Sequence, residues 1–569
     1  MPVTYPPETV SHESEIFRLA SEYVEAKAAI DPFSASMEGI LGYDDRVPDY
    51  SPEGAQSAFA TIKGFERKLS QTTPENEADR IARDVLLAHL ASELRGHESG
   101  DWLADLNIIA SPLQTIRDVF DMMSVETTQD WEHRRSRLVQ LPATIEGYQR
   151  TLAKGLATGT VAAKRQAVEC AKQCSTRSRQ FSSMLLAGSE HLPTALRREL
   201  EAAATLAGAA YRNLGSWLTD LYAPGAAEHD GVGAERYARE SSRYIGGPVD
   251  PLETYYWGLE QVDEIHQHML QVAQEIAPGQ TVAAVMDLLD HDPDRAITGE
   301  ANLVEFLQNH MDNMLEKLDG KHFDIAPAGR RLEQMIAPDG GAAAQYYSPP
   351  SEDWTRPGRC WFPTNGNTVF PMWGEITTAN HEGVPGHHLQ IVASMAAKER
   401  LSRFQRMYFL SGHGEGWALY AERLCFELGF LDKPEFVMGW LNGQMLRAIR
   451  VVVDIGMHTG KDIGVAVPAA SPVCANESWT ANTALAYAEH YVGRGFDMAS
   501  EIDRYLGWPG QAISYKLGER EWLGARSDAQ KSLGAKFDLK EFHTKALELG
   551  AMGLPQLRTE VLHALTTST

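Results

Sequence analysis

The chain carries one unusual segment, Asn380-His381-Glu382-Gly383-Val384-Pro385-Gly386-His387-His388-Leu389-Gln390. It places three imidazoles and one carboxylate within eight positions, from His381 to His388, of a 569-residue chain that contains 19 His. Neighbouring His residues on a helix supply neutral nitrogen ligands to zinc, and a Glu after the first His, here Glu382, can act on the water that the metal activates. The segment therefore predicts a catalytic zinc site built on helices.

The spacing of these His residues differs from the short zinc motif His-Glu-x-x-His, whose i, i+4 separation puts both rings on one face of a helix. Here the second His is His387 at i+6 or His388 at i+7. On an unbroken helix, i+6 points roughly 240° away, and i+7 lies about 10.5 Å further along. Pro385-Gly386 can interrupt the helix. We therefore predict a broken helix in which His387 or His388 is the second ligand and the other ring lines the substrate cleft.

A second segment with the right chemistry lies downstream, at Gly412-His413-Gly414-Glu415-Gly416-Trp417. It opens a predicted helix that returns antiparallel to the first, so Glu415 can be the third protein ligand and leave the fourth position for water. The small residues Gly414 and Gly416 are expected to let this helix approach the metal-binding helix closely. Glu422, two turns further on the same face, either orients a His ring or has a structural or surface role.

A line of polar residues crosses an otherwise apolar helical stretch further along the chain, at Arg447, Arg450, Asp454 and His458. Polar groups on a buried helix either pair with one another or face a cavity. An internal pair between Arg450 and Asp454 is one interpretation. The other is a substrate-binding role for Arg450 and His458, in which the planar guanidinium holds a substrate carboxylate.

The last candidate group is the phenol of Tyr515. A Pro-Gly break at 509–510 launches a predicted helix, and Tyr515 projects from its second turn. A phenol near a metal can donate a hydrogen bond to the oxyanion of a tetrahedral intermediate, whereas a core Tyr has a packing role alone. Both roles stay open, and the catalytic one is the prediction.

Helical periodicity dominates the first 340 residues. Apolar residues recur at helical spacing in four long stretches, 14–29, 76–95, 131–156 and 161–186. Between 326 and 372 the chain is rich in aromatic residues and Pro, and we predict short strands at 359–362 and 368–370, which either offer an edge to a peptide-like substrate or form a connector. The sequence thus predicts a mainly α fold with a small β element beside the active site. A helical scaffold over 1–250 and a catalytic region over 251–569 are expected in one compact unit.

Composition indicates a soluble globular protein and argues against several partners. The chain is 43% hydrophobic and 23% charged, with a mean hydropathy of −0.31. Its 52 Lys and Arg against 77 Asp and Glu give a net charge of −25, which works against binding nucleic acid or an anionic membrane. No apolar run approaches the roughly 18 residues of a membrane span, and we expect no signal peptide at the N-terminus.

The five Cys residues, at 170, 174, 360, 425 and 474, are sparse and odd in number. This favours reduced thiols and a cytoplasmic location over a disulfide framework. Cys170 and Cys174 stand one helical turn apart, but no second Cys cluster accompanies them to complete a metal site. We expect them to have a structural role.

Four ordered motifs carry a resemblance to a known family. They are His-Glu-x-x-Pro-Gly-His-His-x-Gln at 381–390, Gly-Glu-Gly-Trp-Ala-x-Tyr-x-Glu at 414–422, Asp-x-Gly-x-His at 454–458 and Pro-Gly-Gln-Ala-x-Ser-Tyr at 509–515. Together they resemble the bacterial family called domain of unknown function 885. That family is in turn similar to helical zinc metallopeptidases such as angiotensin-converting enzyme, thimet oligopeptidase and Taq carboxypeptidase.

The resemblance implies a helical metallopeptidase with one zinc per chain. It implies that His381, His387 and Glu415 are the ligands, with His388 as the rival ligand, and that Glu382 is the general base. The expected activity is hydrolysis of peptide or amide bonds in a small peptide or amide substrate. The alternative is a metal-dependent biosynthetic enzyme, or a binding scaffold, that acts on a small amide metabolite without hydrolysis. The presence of Glu382 favours hydrolysis, because a pure binding pocket needs no general base.

Overall fold

The computed structural model of the protein describes residues 14–337, 345–464, 471–493 and 496–567, with the backbone alone for 180–185. Helices dominate these residues, and short strands are confined to two small sheets. The prediction of a mainly α fold with a small β element is therefore confirmed.

The helices run through the whole described chain. Those before the central sheet are α1 (Glu15–Ile30), α2 (Pro32–Glu38), α3 (Pro52–Ser70), α4 (Glu77–Glu98), α5 (Pro112–Met122), α6 (Thr128–Thr158), α7 (Lys164–Leu186), α8 (Thr194–Trp217), α9 (Ala234–Ile245), α10 (Pro251–Ile276), α11 (Val282–His291) and α12 (Glu300–Leu318). Those after it are α13 (Met372–Glu382), α14 (His387–Ala396), α15 (Arg403–Met407), α16 (Ser411–Glu427), α17 (Pro434–Thr459), α18 (Ala481–Tyr491), α19 (Met498–Gly507), α20 (Ser514–Leu533), α21 (Leu539–Leu547) and α22 (Leu554–Thr566). None of these helices is long and apolar enough to cross a membrane.

The four long helices expected from periodicity are present as α1, α4, α6 and α7. Capping side chains explain where two of them begin. The hydroxyl of Ser14 accepts the N–H of Phe17 at 3.1 Å, and the amide oxygen of Asn76 accepts the N–H of Asp79 at 2.9 Å. The C-terminal end of α6 is set by Gly159, whose φ of 80° is a left-handed conformation that Gly adopts readily.

Within the described residues, the strands are β1 (Ala296–Thr298), β2 (Leu332–Ile336), β3 (Tyr346–Ser348), β4 (Gly358–Phe362) and β5 (Val369–Pro371). β1 and β5 pair antiparallel. β4 is the centre of a three-stranded sheet, parallel to β2 and antiparallel to β3. The strands predicted at 359–362 and 368–370 correspond to β4 and β5, and β5 leads directly into α13.

Buried apolar side chains form two clusters. The larger one joins α1, α3 and α4 to the helices from α9 onward, so the first helices pack on the same core as the predicted catalytic helices. The smaller one is formed mainly by α5–α8 and includes the free thiols of Cys170 and Cys174. The division into 1–250 and 251–569 stays a prediction.

α13, the helix of His381, lies directly against α17. A Cβ added at Gly439 in α17 would lie 1.8 Å from the carbonyl oxygen of Trp373 in α13. The two backbones touch at this point, so the position admits no side chain. The contact fixes the depth at which α13, and with it His381, enters the core.

The small residues of α16 have a different neighbour from the one expected. A Cβ added at Gly416 would lie 2.3 Å from the Cα of Gly518 in α20, and one added at Gly414 would lie 2.2 Å from the ring of Phe409. Gly416 therefore lets α16 approach α20 instead of α13, the helix of His381. The expectation from sequence identified the need for a close contact but not the helix on the other side.

Replacing Gly439 with Ala should destabilise the protein by about 2 kcal/mol, because the methyl group must push α13 and α17 apart. Gly374→Ala is the matched control, since Gly374 follows Trp373 and no atom lies within 4 Å of a Cβ added there. The control should be neutral or up to about 1 kcal/mol more stable, because Ala has the higher helix propensity. Thermal unfolding measures both variants, and equal midpoints would contradict the close contact.

Candidate metal centre

The predicted interruption between His381 and His387 is present. α13 ends one residue after His381, α14 begins at His387, and residues 383–386 connect the two helices. The connection is tight, because the N–H of Gly386 donates to the carbonyl oxygen of Asn380 at 3.0 Å. A Cβ added to Gly386 would lie 1.9 Å from the carbonyl oxygen of His381. Glycine is therefore required where the turn closes on the end of α13.

Trp417 of α16 holds this turn from the other side. Its indole N–H lies 2.9 Å from the carbonyl oxygen of Pro385 and 3.2 Å from that of Gly386, and it donates to both. A fully buried indole needs such acceptors, and carbonyls in a helix break need such a donor. Because α16 also carries Glu415, the helix that holds the turn is the helix that delivers the carboxylate.

The turn brings His381 and His387 together, with ring centroids 4.8 Å apart and ring planes at 87°. The Oε2 atom of Glu415 lies 3.3 Å from Nε2 of His381 and 3.5 Å from Nε2 of His387. One ligand atom from each of the three residues lies within 4.8 Å of the other two. Within the part of the chain that the structure describes, no other group of His, Cys, Asp and Glu converges in this way.

Glu422 contacts the outer nitrogen of His381. Its Oε1 atom lies 2.7 Å from Nδ1 and accepts the ring N–H, which leaves Nε2 facing Glu415. Burial disfavours a charged ring, but hydrogen bonds to Glu415 and Glu422 outweigh burial and raise the pKa of His381 to about 10. Burial also opposes the charge of Glu415, but hydrogen bonds from the two His residues hold its pKa well below the ordinary value.

A cavity of about 640 Å³ adjoins the cluster, and Glu382 is buried at its wall. Burial raises the pKa of the Glu382 carboxyl, against the opposing effect of positive charge on His381 and His387. The edge strand β3 contributes two aromatic side chains to the cavity. Further lining residues, aromatic, apolar or basic, are Phe404, Met407, Tyr408, Phe409, Arg447, Arg450 and Arg504.

Tyr515 lies against the cluster, in the first turn of α20 and so one turn earlier than expected. Its ring stacks on that of His381 with centroids 6.5 Å apart and planes at 20°. Its hydroxyl oxygen accepts a hydrogen bond from Arg504 at 3.3 Å. The guanidinium carbon of Arg450 lies 4.7 Å from the centroid of the same ring.

The structure does not bring His388 to the cluster. Its Nε2–H donates to the carbonyl oxygen of Gly329 at 2.7 Å, so its Nδ1 accepts the hydroxyl of Tyr347 at 2.8 Å. The side chain is 0% exposed, and both ring nitrogens have partners. The physical reason is that successive helical residues point about 100° apart, so α14 turns His388 toward the three-stranded sheet when His387 faces Glu415. His388 thus lies apart from both positions expected for it, the rival-ligand position and the substrate cleft.

Arg450 lines the cavity, but its charge is already paired. Its Nη2 donates to Glu501 at 2.7 Å, and its Nε donates to the hydroxyl of Tyr505 at 2.9 Å. The internal pair between Arg450 and Asp454 is absent, because Asp454 instead accepts the hydroxyl of Tyr237 at 2.7 Å. Arg450 and Asp454 are therefore paired with side chains of other helices and not with each other.

His458 lies in the interior, away from the cavity, in contrast to the substrate-binding position expected for it. Its Nε2–H donates to the carbonyl oxygen of Tyr505 at 2.9 Å, and the N–H of Val232 points to its Nδ1 at 3.4 Å. The side chain is 1% exposed. Its position two turns after the cavity-lining Arg450 does not make it a cavity residue, because α17 is buried on every side at this depth.

Trp417, Glu501 and Arg504 were not predicted as site residues. Trp417 stands two residues after Glu415, and a buried donor for the Pro385-Gly386 turn could have been sought there. Glu501 and Arg504 lie on α19, and the sequence of that helix carries no sign of which face meets the cavity.

The fold and the cluster together define a mainly α protein with a largely buried His-His-Glu group beside a cavity. Residues 32–561 match the family described as "Bacterial protein of unknown function (DUF885)", and the chain belongs to that family. No curated protein matches the chain.

Two solved structures have a similar fold. One is titled a "putative lipoprotein" from Colwellia psychrerythraea, with a TM-score of 0.85, 23% sequence identity, and coverage of 98% of this chain and 100% of that chain. The other is titled a "putative lipoprotein of unknown function" from Shewanella oneidensis, with a TM-score of 0.70, 18% identity, and coverage of 96% of this chain and 100% of that chain. Identities this low show the fold alone.

His458 should make folding sensitive to mild acid. Burial lowers the pKa of its ring to about 4, whereas an exposed His in an unfolded chain titrates near about 6.5. Between these values the unfolded chain binds the proton and the folded chain does not, so stability falls as the pH drops from about 6.5 toward 4. At pH 5 this one ring should cost about 2 kcal/mol of stability.

His458→Gln removes this proton site, so the variant should lose about 2 kcal/mol less stability than the wild type between pH 7 and pH 5. His291→Gln is the control, because the side chain of His291 is 64% exposed. Chemical unfolding at the two pH values measures the difference. An unchanged pH dependence in His458→Gln would mean that His458 is not buried as a neutral ring.

Proposed function

We propose that the protein is a zinc-dependent hydrolase of peptide or amide bonds in small peptide-like substrates. The observation that carries the proposal is the spacing of the ligand atoms. A tetrahedral zinc ion with bonds of about 2.0–2.1 Å keeps its ligand atoms about 3.3–3.4 Å apart. The carboxylate oxygen of Glu415 lies 3.3 and 3.5 Å from the Nε2 atoms of His381 and His387, so two of the three ligand spacings match such an ion, and all three ligand atoms lie within 4.8 Å of one another.

The charge around the cluster also supports a bound cation. Three carboxylates, those of Glu382, Glu415 and Glu422, lie around two imidazoles in a largely buried region. Buried negative charge is costly unless a cation compensates it. His381, His387 and Glu415 would hold one zinc per chain, while Glu422 orients the His381 ring and raises its basicity as a ligand.

Bound zinc supplies Lewis acidity, which polarises a substrate carbonyl and makes water a stronger nucleophile at neutral pH. In the proposed reaction, Glu382 accepts the proton of the attacking water and passes it to the leaving nitrogen. The phenol of Tyr515 donates a hydrogen bond to the carbonyl oxygen as negative charge develops on it. Its hydrogen is available for this role, because Arg504 donates to the phenol oxygen.

The cavity supports a substrate of limited size. A volume of about 640 Å³ lies within the range of sites that hold small ligands and is too small for a folded protein. β3 is an edge strand of its sheet, and its residues Tyr346 and Tyr347 line the cavity. An extended peptide can pair with such an edge. The ordered motifs, with their resemblance to helical zinc metallopeptidases, favour the same class of reaction.

Purified protein should contain about one zinc per chain. His381→Ala, His387→Ala and Glu415→Ala should each lose most of it, because each removes one of three protein ligands. His388→Ala is the matched control and should keep zinc, although it loses stability, because that ring has other partners. Elemental analysis of the four variants measures this. Zinc retained in all three ligand variants, or lost with His388→Ala alone, would refute the ligand assignment.

Glu382→Gln separates the general base from the ligands. The amide keeps the shape of the side chain but cannot accept a proton, so zinc should stay bound while turnover falls about 100-fold or more. Hydrolysis of a panel of short peptides and N-acyl amino acids measures the effect. Turnover near wild type would remove Glu382 from the reaction. A zinc-bound wild type that cleaves none of these compounds would favour the alternative without hydrolysis.

A further inference from the structure

Three guanidinium groups line the cavity on the side of Tyr515, from Arg447 and Arg450 on α17 and Arg504 on α19. One carboxylate, that of Glu501, serves two of them, at 2.7 Å from Arg450 and 3.3 Å from Arg504. Two of the three positive charges therefore share this carboxylate, and the third, that of Arg447, does not contact it. The excess of positive charge is opposite in sign to the net charge of the whole chain, so it is a local feature of the cavity.

Arg447 differs from the other two guanidinium groups, because no carboxylate of the described residues lies within ion-pair distance of it. It forms no ion pair with any described residue, and its hydrogen bond goes to the carbonyl oxygen of Gly443 at 3.2 Å. Its Nε is buried without a hydrogen-bond partner. A partly buried guanidinium with unused donors is stabilised by an anion that accepts two of its N–H groups. Arg447 has the charge and the planar geometry to hold a ligand carboxylate.

The ring of Tyr515 lies close both to the candidate ligand His381 and to the guanidinium group of Arg447. The Tyr515 ring centroid lies 6.5 Å from that of His381, and the guanidinium carbon of Arg447 lies 6.0 Å from the same Tyr515 centroid. One peptide residue spans about 3.3–3.6 Å. Because Tyr515 contacts both groups, we expect a carboxylate one residue after the scissile carbonyl to face the Arg447 side of the cavity.

The side of the cavity beside His387 has a different character. The Phe409 ring centroid lies 5.9 Å from that of His387, and Phe409 is 49% exposed. Phe404, Met407 and Tyr408 continue this wall. The cavity thus has three guanidinium groups next to Tyr515 and an aromatic wall next to Phe409, where Arg406 also lines it.

We propose that the site takes substrates with a free carboxylate one residue after the scissile amide, and that Arg447 binds this carboxylate. The inference rests on the proposed hydrolase function and names its substrate class: peptides cleaved at the last bond, and N-acyl amino acids, with an apolar group on the acyl side. Water adds across the amide, so the carbonyl carbon gains hydroxyl and the nitrogen leaves with a proton as the free amino acid. Arg450, already paired with Glu501, supports the wall beside Tyr515 and does not bind the substrate.

The first test compares N-benzoyl-glycyl-L-phenylalanine with its C-terminal amide in steady-state kinetics. The wild type should prefer the free acid by about 100-fold or more in kcat/KM, because the amide leaves a partly buried guanidinium unpaired. Arg447→Ala should reduce this preference to less than about tenfold, mainly through KM, and Arg447→Lys should retain part of it. Arg212→Ala, on an exposed position of α8, is the control and should keep the full preference. Equal cleavage of the two compounds by the wild type overturns the inference but not the hydrolase function.

The second test measures binding, so that it does not depend on turnover. The same two compounds are titrated calorimetrically into the full-length Glu382→Gln protein and into the double variant with Arg447→Ala. Tighter binding of the acid by about tenfold or more, lost in the double variant, supports the carboxylate site even when neither compound is hydrolysed. Equal binding of the two compounds, no binding of either, or a preference that survives without Arg447 overturns it. If the Glu382→Gln protein binds the acid more tightly than the amide and this difference is lost with Arg447→Ala, but the wild type hydrolyses neither compound, only the hydrolase function is overturned.

Discussion

The contact between Gly386 and the end of α13 is the constraint on which the site depends. Because the glycine lies directly on the carbonyl groups of Asn380 and His381, the chain turns within four residues and the His387 ring, at the start of α14, lies beside that of His381. Trp417 bonds to the same turn from α16, so the helix that supplies Glu415 is fixed to the turn that supplies His387. The two imidazoles and the carboxylate therefore come from elements that hold one another in place.

Buried charge is arranged around this scaffold with opposite signs on two sides. α16 presents Glu415 and Glu422 two turns apart on one face, and together they contact both ring nitrogens of His381. Across Tyr515 the sign reverses, with Arg447 and the group of Arg450, Glu501 and Arg504. An acidic group that favours a cation thus lies near one side of Tyr515, and a basic group that favours an anion lies near the other.

The sequence predicted the features that leave a local signature. Helical periodicity located the long helices, aromatic and Pro-rich composition located β4 and β5, and the order of chemistry-bearing residues pointed to His381, to Glu415 and to one of His387 and His388. It could not decide between His387 and His388, because that choice depends on how many residues the turn absorbs. The turn is set by Trp417, 31 residues away from Gly386 along the chain. The partners of Arg450 and the interior position of His458 were missed for a related reason, since α9 and α19 supply their surroundings and no local pattern in α17 encodes those contacts.

Anomalous X-ray diffraction at the zinc absorption edge, from crystals of protein purified without chelators, tests the central claim most directly. The account predicts one strong peak beside the turn, at about 2.0–2.2 Å from the Nε2 atoms of His381 and His387 and from a carboxylate oxygen of Glu415. A peak at another group of side chains, or no peak at the cluster after zinc is supplied, would contradict it.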